Sequence, residues 1–457
     1  MKKIILLLLF LNIHGVMIAR QKRCTKTKNI VKPVVKTKQP VVTEKKTISS
    51  LTMQDAVQVA HRKKPSLQAF KYKIQAGKIG EKEAWTGYYP FVTLSGALND
   101  DLRGQSSTAT TLGVQQLLFD FAGPQELYKE ARHNTAIVTL QEQEQKNGIQ
   151  FNVEKTFLEC WRLQQQRTAI VSLRESSRAD YDQAVNQNNV DLLDKNDWLK
   201  RVETHADNVA VTHKYDQGVS IAQKGLEFLT GYTLNLDLGR SAKNNVAGTK
   251  LCWDSSEDIT LNTLDFYYQA AEKHRPEIAR AQKVIDVLKV QRSIATKSRL
   301  PKLLLGATVS HDTSSELPYA RGSHNYYNVN GTVSWNLFDG LKSDYAAQKL
   351  DAQKLDAMLA KQEIVHAVRS EVERTFYELS QQIIDLDAEK FRYSRAKNEF
   401  DLRKKELEVA IISNVEFEKA KTAWSTAEYN WLDKRIAAEI KCRELMYKCG
   451  YFLHLPA

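Results

Sequence analysis

Residues Tyr327 to Leu337 alternate apolar and polar without a break. Val329, Gly331, Val333, Trp335 and Leu337 share one face; Asn, Thr and Ser hold the other. A period of two predicts a β-strand with unlike faces. Its antiparallel partner is expected at about 303–311, across a loop of about 312–325. A less regular pair falls at 91–99 and 111–119. Elsewhere the period is helical. Met358, Val365, Val372, Leu379, Leu386, Tyr393, Phe400 and Leu407 stand seven apart, with Phe376 and Ile383 as a partial companion row. A seven-residue apolar repeat held this long predicts left-handed coiled-coil packing. The weaker counterpart, over about 124–189, carries Ile149, Val153, Phe157, Trp161, Leu163 and Ile170.

These patterns occur twice. Val114-Gln-Gln-Leu-Leu-Phe-Asp120 returns as Val333-Ser-Trp-Asn-Leu-Phe-Asp339, shifted by 219 residues. The same shift carries Val153–Glu159 onto Val372–Glu378, Asp197–Lys200 onto Glu416–Lys419, and Leu226–Tyr232 onto Leu445–Tyr451. Before the strands the offset is 211: a short helix and Pro65 in the first copy match 264–273 and Pro276 in the second. Proline at the first helical position and just past the end (Pro90, Pro301) is ordinary helix punctuation. The chain is one unit built twice, and such a repeat sets the fold.

Lengths decide the arrangement. Each long helix holds about 66 residues, roughly 100 Å at 1.5 Å per residue. The helix before the strands and the one after the helical turn add up to nearly that length. They are expected to stack end to end beside the long helix. Four strands cannot close a barrel, and an open sheet edge is not tolerated in lipid. Three chains supply twelve strands, enough for a lumen, and strands of nine to eleven residues suit a tilted membrane crossing. Tyr88, Tyr89, Phe91, Phe119, Trp335 and Phe338 gather toward the helix-side ends of the strands. An interfacial aromatic girdle belongs there; the alternative is that they cap a soluble core.

Composition refines this. Met1 to Ala19 has two lysines and an apolar run, as in a secretory signal peptide. No later stretch is apolar enough for a membrane helix. The formal charge of +12 is concentrated: residues 20–47 hold ten Lys or Arg against Glu44 alone. The remainder is nearly neutral, which argues against nucleic acid as a partner. The tail reads as a solvated leader, with docking on an anionic surface the alternative. Five cysteines, at 24, 160, 252, 442 and 449, include no CxxC, and Cys160 falls on a core face. Cys442 and Cys449 are about 10 Å apart along one helix, beyond disulfide reach.

At this point the chain resembles the TolC-type outer-membrane efflux proteins. The resemblance covers about residues 50–451 and rests on three features. These are the duplicated helix–hairpin–long helix–helix plan, Leu-Phe-Asp at each strand-to-helix junction, and the turn segment Ile411-Ile-Ser-Asn-Val-Glu-Phe-Glu-Lys-Ala420. It implies an α+β membrane protein, a homotrimer whose 12-stranded β-barrel continues into an α-helical coiled-coil tunnel. It also implies three kinds of partner: a periplasmic adaptor, an inner-membrane efflux or type I secretion transporter, and outer-membrane lipid. The expected divisions are a signal peptide at 1–19, a basic tail at 20–49, repeats at 50–231 and 261–451, an equatorial segment at 232–260 and a short tail at 452–457.

For the tunnel mouth the resemblance is carried residue by residue. The family's turn glycine corresponds to Asp191 and Ala410, and its acidic position to Asp197 and Glu416. A second acid found in some members is lysine here, Lys200 and Lys419. The tyrosine and arginine that latch some closed mouths correspond to Leu407 and Ile412. A mouth of mixed charge is expected; the alternative is ordinary solvated i,i+3 pairs. Nothing points to an enzyme, a cofactor or a metal. There is no phosphate loop or nucleophile elbow, and His205 and His213 are the nearest thing to a metal pair. A periplasmic coiled-coil adaptor without a barrel is the rival reading.

Overall fold

The computed structural model describes residues 52–100, 106–189, 194–231, 261–316, 320–409, 411–412 and 414–450. The chain divides into two units, Met1–Lys46 and Thr47–Ala457, and every described residue lies in the second. The expected signal peptide, basic tail, equatorial segment 232–260 and C-terminal tail fall outside the described residues.

The first repeat contains α1 (Met53–Lys63), α2 (Pro65–Trp85), a 3-10 turn (Thr86–Tyr88), β1 (Phe91–Asp100), β2 (Ser106–Asp120), α3 (Pro124–Asn188) and α4 (Lys195–Thr230). The second contains α5 (Leu264–His274), α6 (Pro276–Lys297), β3 (Lys302–Glu316), β4 (Ala320–Ser334), α7 (Lys342–Glu408) and α8 (Asn414–Lys448). Prolines 65, 124 and 276 each sit in a first helical turn, where the missing N–H costs nothing. No helix is long and apolar enough to cross a membrane among the described residues.

End-to-end stacking of the shorter helices holds in both repeats. Gly231, just past α4, adopts φ 71° beside Lys63, whose ammonium donates to its carbonyl at 3.4 Å. Gly450, just past α8, adopts φ 80° against the His274 carbonyl. The last turn of each returning helix thus ends where the short helix breaks at proline. A left-handed glycine closes the joint.

Two apolar clusters fill the level of these joints. Met53, Leu67, Ile149, Val153, Phe157, Trp161 and Leu226 pack with Ile436 and Ile440. Tyr267, Ile278, Val368, Val372, Leu379, Cys442, Leu445 and Cys449 form the other. Cys160 is fully buried, on the core face its spacing indicates. Toward the helical turns the heptad row of α7 is answered from α8. Phe400 stacks on Trp424 at 4.7 Å and touches Phe417 at 5.6 Å, and Tyr393 stacks on Trp431 at 5.4 Å. Phe417, Trp424, Trp431, Ala438 and Leu445 are themselves seven apart. In the first repeat Tyr181 stacks on His205 at 5.3 Å. Those positions are the duplicates of Phe400 and Trp424, so His205 is a packing residue, with Ser177 3.2 Å from its Nδ1.

The four strands form one antiparallel sheet in chain order, β1-β2-β3-β4. Two expectations need correction. The second hairpin does not gain its eight extra residues in the loop. Both of its strands run fifteen residues, with Glu316 paired to Ala320, whereas Phe91–Asp100 has ten. The added residues, Asp312–Glu316 and Ala320–His324, include no proline to interrupt the ladder, so pairing takes them up. Second, β4 stops at Ser334, leaving Trp335 and Leu337 outside the strand. Ser334 pairs with Lys302; the next partner is Pro301, which has no N–H to give.

Candidate membrane face and channel mouth

Register assigns each strand residue to a face. Val92 pairs with Val114, Leu94 with Leu112, Val114 with Ala307, Leu303 with Val333, Ala307 with Val329, and Val309 with Tyr327. Directly paired residues lie on one face, so these side chains form a single apolar surface. Val92, Leu94, Val329 and Val333 on it are all exposed. The other face is mainly polar, with Phe91, Leu117 and Leu304 at its helix-side end. Thr93, Ser95, Thr111, Gln115, Thr308, Ser310, Asn328, Asn330 and Thr332 populate it. Thr111 and Ser310 hydroxyls meet across strands at 2.9 Å, and Thr93 and Ser95 donate to neighbouring carbonyls. A water-soluble sheet would cover its apolar face. Here no described helix covers it, and β1 and β4 each have one strand neighbour.

The aromatic residues cluster at the helix-side ends. Tyr89, Phe91, Phe119, Trp335 and Phe338 are exposed, and Tyr88 is half-buried against Trp85, ring centroids 5.4 Å apart. Phe119 lies just past a register irregularity at Leu117–Phe119, opposite Leu303, and Phe121 meets it edge-on at 4.6 Å.

The aspartates of the Leu-Phe-Asp pairs turn the chain from sheet to helix. Asp120 is buried; one carboxylate oxygen accepts the Ala122 N–H at 2.9 Å and the other meets Lys302 at 3.0 Å. Asp339 accepts the Ser343 N–H at 3.0 Å, and bonds from Ser343 hold its carboxyl below the ordinary range. Between them Gly340 and Leu341 both take left-handed backbone, φ 68° and 65°. The sequence signal for this capping role was the Asp repeated at the junction.

At the opposite ends the chain reverses twice. Asp194 caps α4, its carboxylate accepting the Asn196 N–H at 3.1 Å. Asp197 and Glu416 occupy the first turns of α4 and α8, where the helix dipole favours acid. Lys200 and Lys419 follow one turn on; all four are exposed. Leu407, in the last turn of α7, and Ile412 are half-buried. Asp191 and Ala410 lie outside the described residues. Both charged pairs thus sit beside their helical turns.

Residues 267–446 match the family model of outer membrane efflux proteins. That match falls within the second repeat, from α5 to the last turn of α8. No curated protein sequence matches the chain. Solved structures show the same fold at low identity. CusC, described for its transmembrane channel formation, is 13% identical with a TM-score of 0.69, covering 87% of this chain and 92% of that one. The open-state outer membrane channel MtrE of Neisseria gonorrhoeae is 14% identical at 0.67, covering 87% and 89%. The outer membrane protein VceC of Vibrio cholerae is 12% identical at 0.64, covering 87% and 96%.

Proposed function

We propose that this chain is one subunit of an outer-membrane efflux duct. Three copies close a twelve-stranded barrel in the outer membrane, apolar face to lipid and polar face to the lumen. Their helices continue as a tunnel into the periplasm. A periplasmic adaptor and an inner-membrane efflux or secretion transporter deliver the substrate. The observation that carries this is the sheet: an exposed apolar face, a polar reverse side and two open edges. Unpaired edge groups cost several kcal/mol each in lipid, so the sheet must be completed by further copies. A periplasmic adaptor without a barrel would leave the same apolar face in water, which disfavours that reading.

The purified protein should be a detergent-dependent, heat-modifiable trimer that conducts ions in planar bilayers. A folded monomer, stable without detergent and silent in bilayers, would overturn the proposal.

The tunnel mouth follows from the same reading. Asp197, Lys200, Glu416 and Lys419, beside the turns carrying Asp191, Leu407, Ala410 and Ile412, give it mixed charge. Changing Lys200 and Lys419 together to Glu should move the reversal potential toward cation selectivity; an unmoved potential removes these residues from the mouth.

A further inference from the structure

Among the described residues, helix packing leaves two flanks uncovered. α4 packs on α3, and α3 joins α8 through Arg162–Asp433 and Arg443–Glu154. α8 joins α7 through Lys441–Glu378 and Lys434–Asp385. α4 and α7 are therefore the lateral ends of this row of helices.

Both ends carry large apolar side chains at spacing seven. On α7, Tyr377, Ile384 and Phe391 are 57%, 63% and 75% exposed. They follow the buried row Val372, Leu379, Leu386 by five positions, which places them on the flank away from the acids that reach α8. On α4, Ile221 and Phe228 are 71% and 82% exposed, two positions past the side that buries Leu226. Isolated exposed apolar residues are ordinary. Rows in a heptad register on two facing flanks are not, because they are the knobs of a coiled coil without a partner.

The two rows stand at the same height. Gly218 and Gly225 of α4 lie against Leu163 and Thr156 of α3. The repeat equivalents of those two residues are Gln382 and Thr375 of α7. Phe151 of α3 stacks on Tyr447, and Lys448 reaches Glu371 of α7 at 3.1 Å, so the repeat equivalence is also an equality of level. Ile384 therefore comes within one residue, about 1.5 Å, of the level of Gln217, and Asp387 within one residue of the level of Lys214. Both members of this second pair are exposed and of opposite charge. A ring closed by rotation alone preserves heights between copies.

We infer that neighbouring copies join along a heptad-spaced helical seam. In it Tyr377, Ile384 and Phe391 of one α7 interleave with Ile221 and Phe228 of the next copy's α4, and Asp387 lies beside Lys214. The occupant is a second copy because both surfaces belong to the same chain, match in height and period, and carry complementary charge. The seam also continues the sheet edges that the same neighbour must complete. It rests on the ring proposed above and names where its helices touch.

The test uses full-length protein extracted from membranes, with Cys24 and Cys252 changed to Ser, carrying Gln217→Cys and Ile384→Cys. Mild oxidation should give covalent trimers that reduction releases. The shifted pair Gln217→Cys with Tyr377→Cys should cross-link about tenfold less. One heptad is roughly 10 Å along the axis, while a disulfide needs Cα atoms within about 7 Å. Trimers by light scattering that fail to cross-link, or that link equally through both pairs, overturn the seam and leave the duct standing. Monomers by light scattering overturn both.

Discussion

Arg162 of α3 holds Asp433 of α8 in a two-point bond, Nε to Oδ1 at 2.5 Å and Nη2 to Oδ2 at 2.9 Å. Gln166 adds an amide donor to the same carboxylate at 2.8 Å. The bond joins the two repeats, and this hydrogen bonding to Asp433 is the main reason the Arg162 guanidinium sits above its ordinary range. Asp433→Ala would strand a half-buried guanidinium, costing about 1–3 kcal/mol. Thermal unfolding of the detergent-solubilised protein should show the loss. Adding Arg162→Met should recover part of it, because the stranded charge goes with its partner. If the double variant is as unstable as the two single losses added, the pair is not coupled.

The sheet makes opposite demands on its two faces. Val329→Arg places a charge on the apolar face, at about 2–4 kcal/mol if near the bilayer centre. The outer-membrane fraction should then lose most of its heat-modifiable trimer. Asn330→Asp, one residue on and facing the other way, should assemble normally and change only conductance. Equal tolerance of both changes would contradict the face assignment.

Two glycines close the helix joints with unequal room. A Cβ on Gly450 would come 2.7 Å from the His274 carbonyl oxygen, a backbone atom, on top of the left-handed φ of 80°. On Gly231 the nearest atom is the flexible Lys63 side chain, at 3.5 Å. Gly231→Ala should cost only the left-handed conformation, about 1–2 kcal/mol. Gly450→Ala should cost more, because the backbone of the α5–α6 junction has to shift. Comparing the two melting transitions tests the order, and a reversed order would show that the joints are not packed as described.

Burial raises two thiols, Cys160 to about 11 and Cys449 to about 12, from an ordinary 9.0. A raised acid keeps its proton in the fold after the unfolded chain has released it. Its contribution is therefore whole below pH 9 and declines as pH climbs toward the folded values. A protein carrying Cys24→Ser and Cys252→Ser should resist a thiol reagent at pH 8 until unfolded, and should lose stability above pH 9. Rapid native labelling would place these sulfurs at the surface.

Much of this arrangement is legible in the chain itself. Uninterrupted period two and period seven reflect local geometry, so β1 emerges close to its observed bounds and the heptad row falls wholly within α7. The row from Phe417 to Leu445 is less legible because tryptophan, alanine and leucine share a period without resembling one another; its spacing is the available signal. The start of β2 and the ends of β3 and β4 differ from their local pattern because pairing depends on the partner strand. Whether Asp312–Glu316 extends a ladder or loops out depends on Ala320–His324 opposite. Likewise, nothing local ties Asp387 to Lys214: their common height passes through four helices. His205 illustrates the reverse. As a lone residue it invites chemistry, while its duplicate Trp424 marks it as packing.

In the cylinder proposed above, the unequal strands would set how it can sit in a bilayer. The outer border of β4 offers fifteen residues and that of β1 only ten. When one meets the other, five residues of backbone have no ladder to join. Those groups cannot stand in hydrocarbon, so only the ten-residue overlap is available to the oily layer. Ten residues at about 3.3 Å each, tilted by some 40–45°, rise roughly 23–25 Å. In such a three-copy cylinder the shorter border would govern the hydrophobic thickness accepted, and three polar notches would remain for headgroups and water.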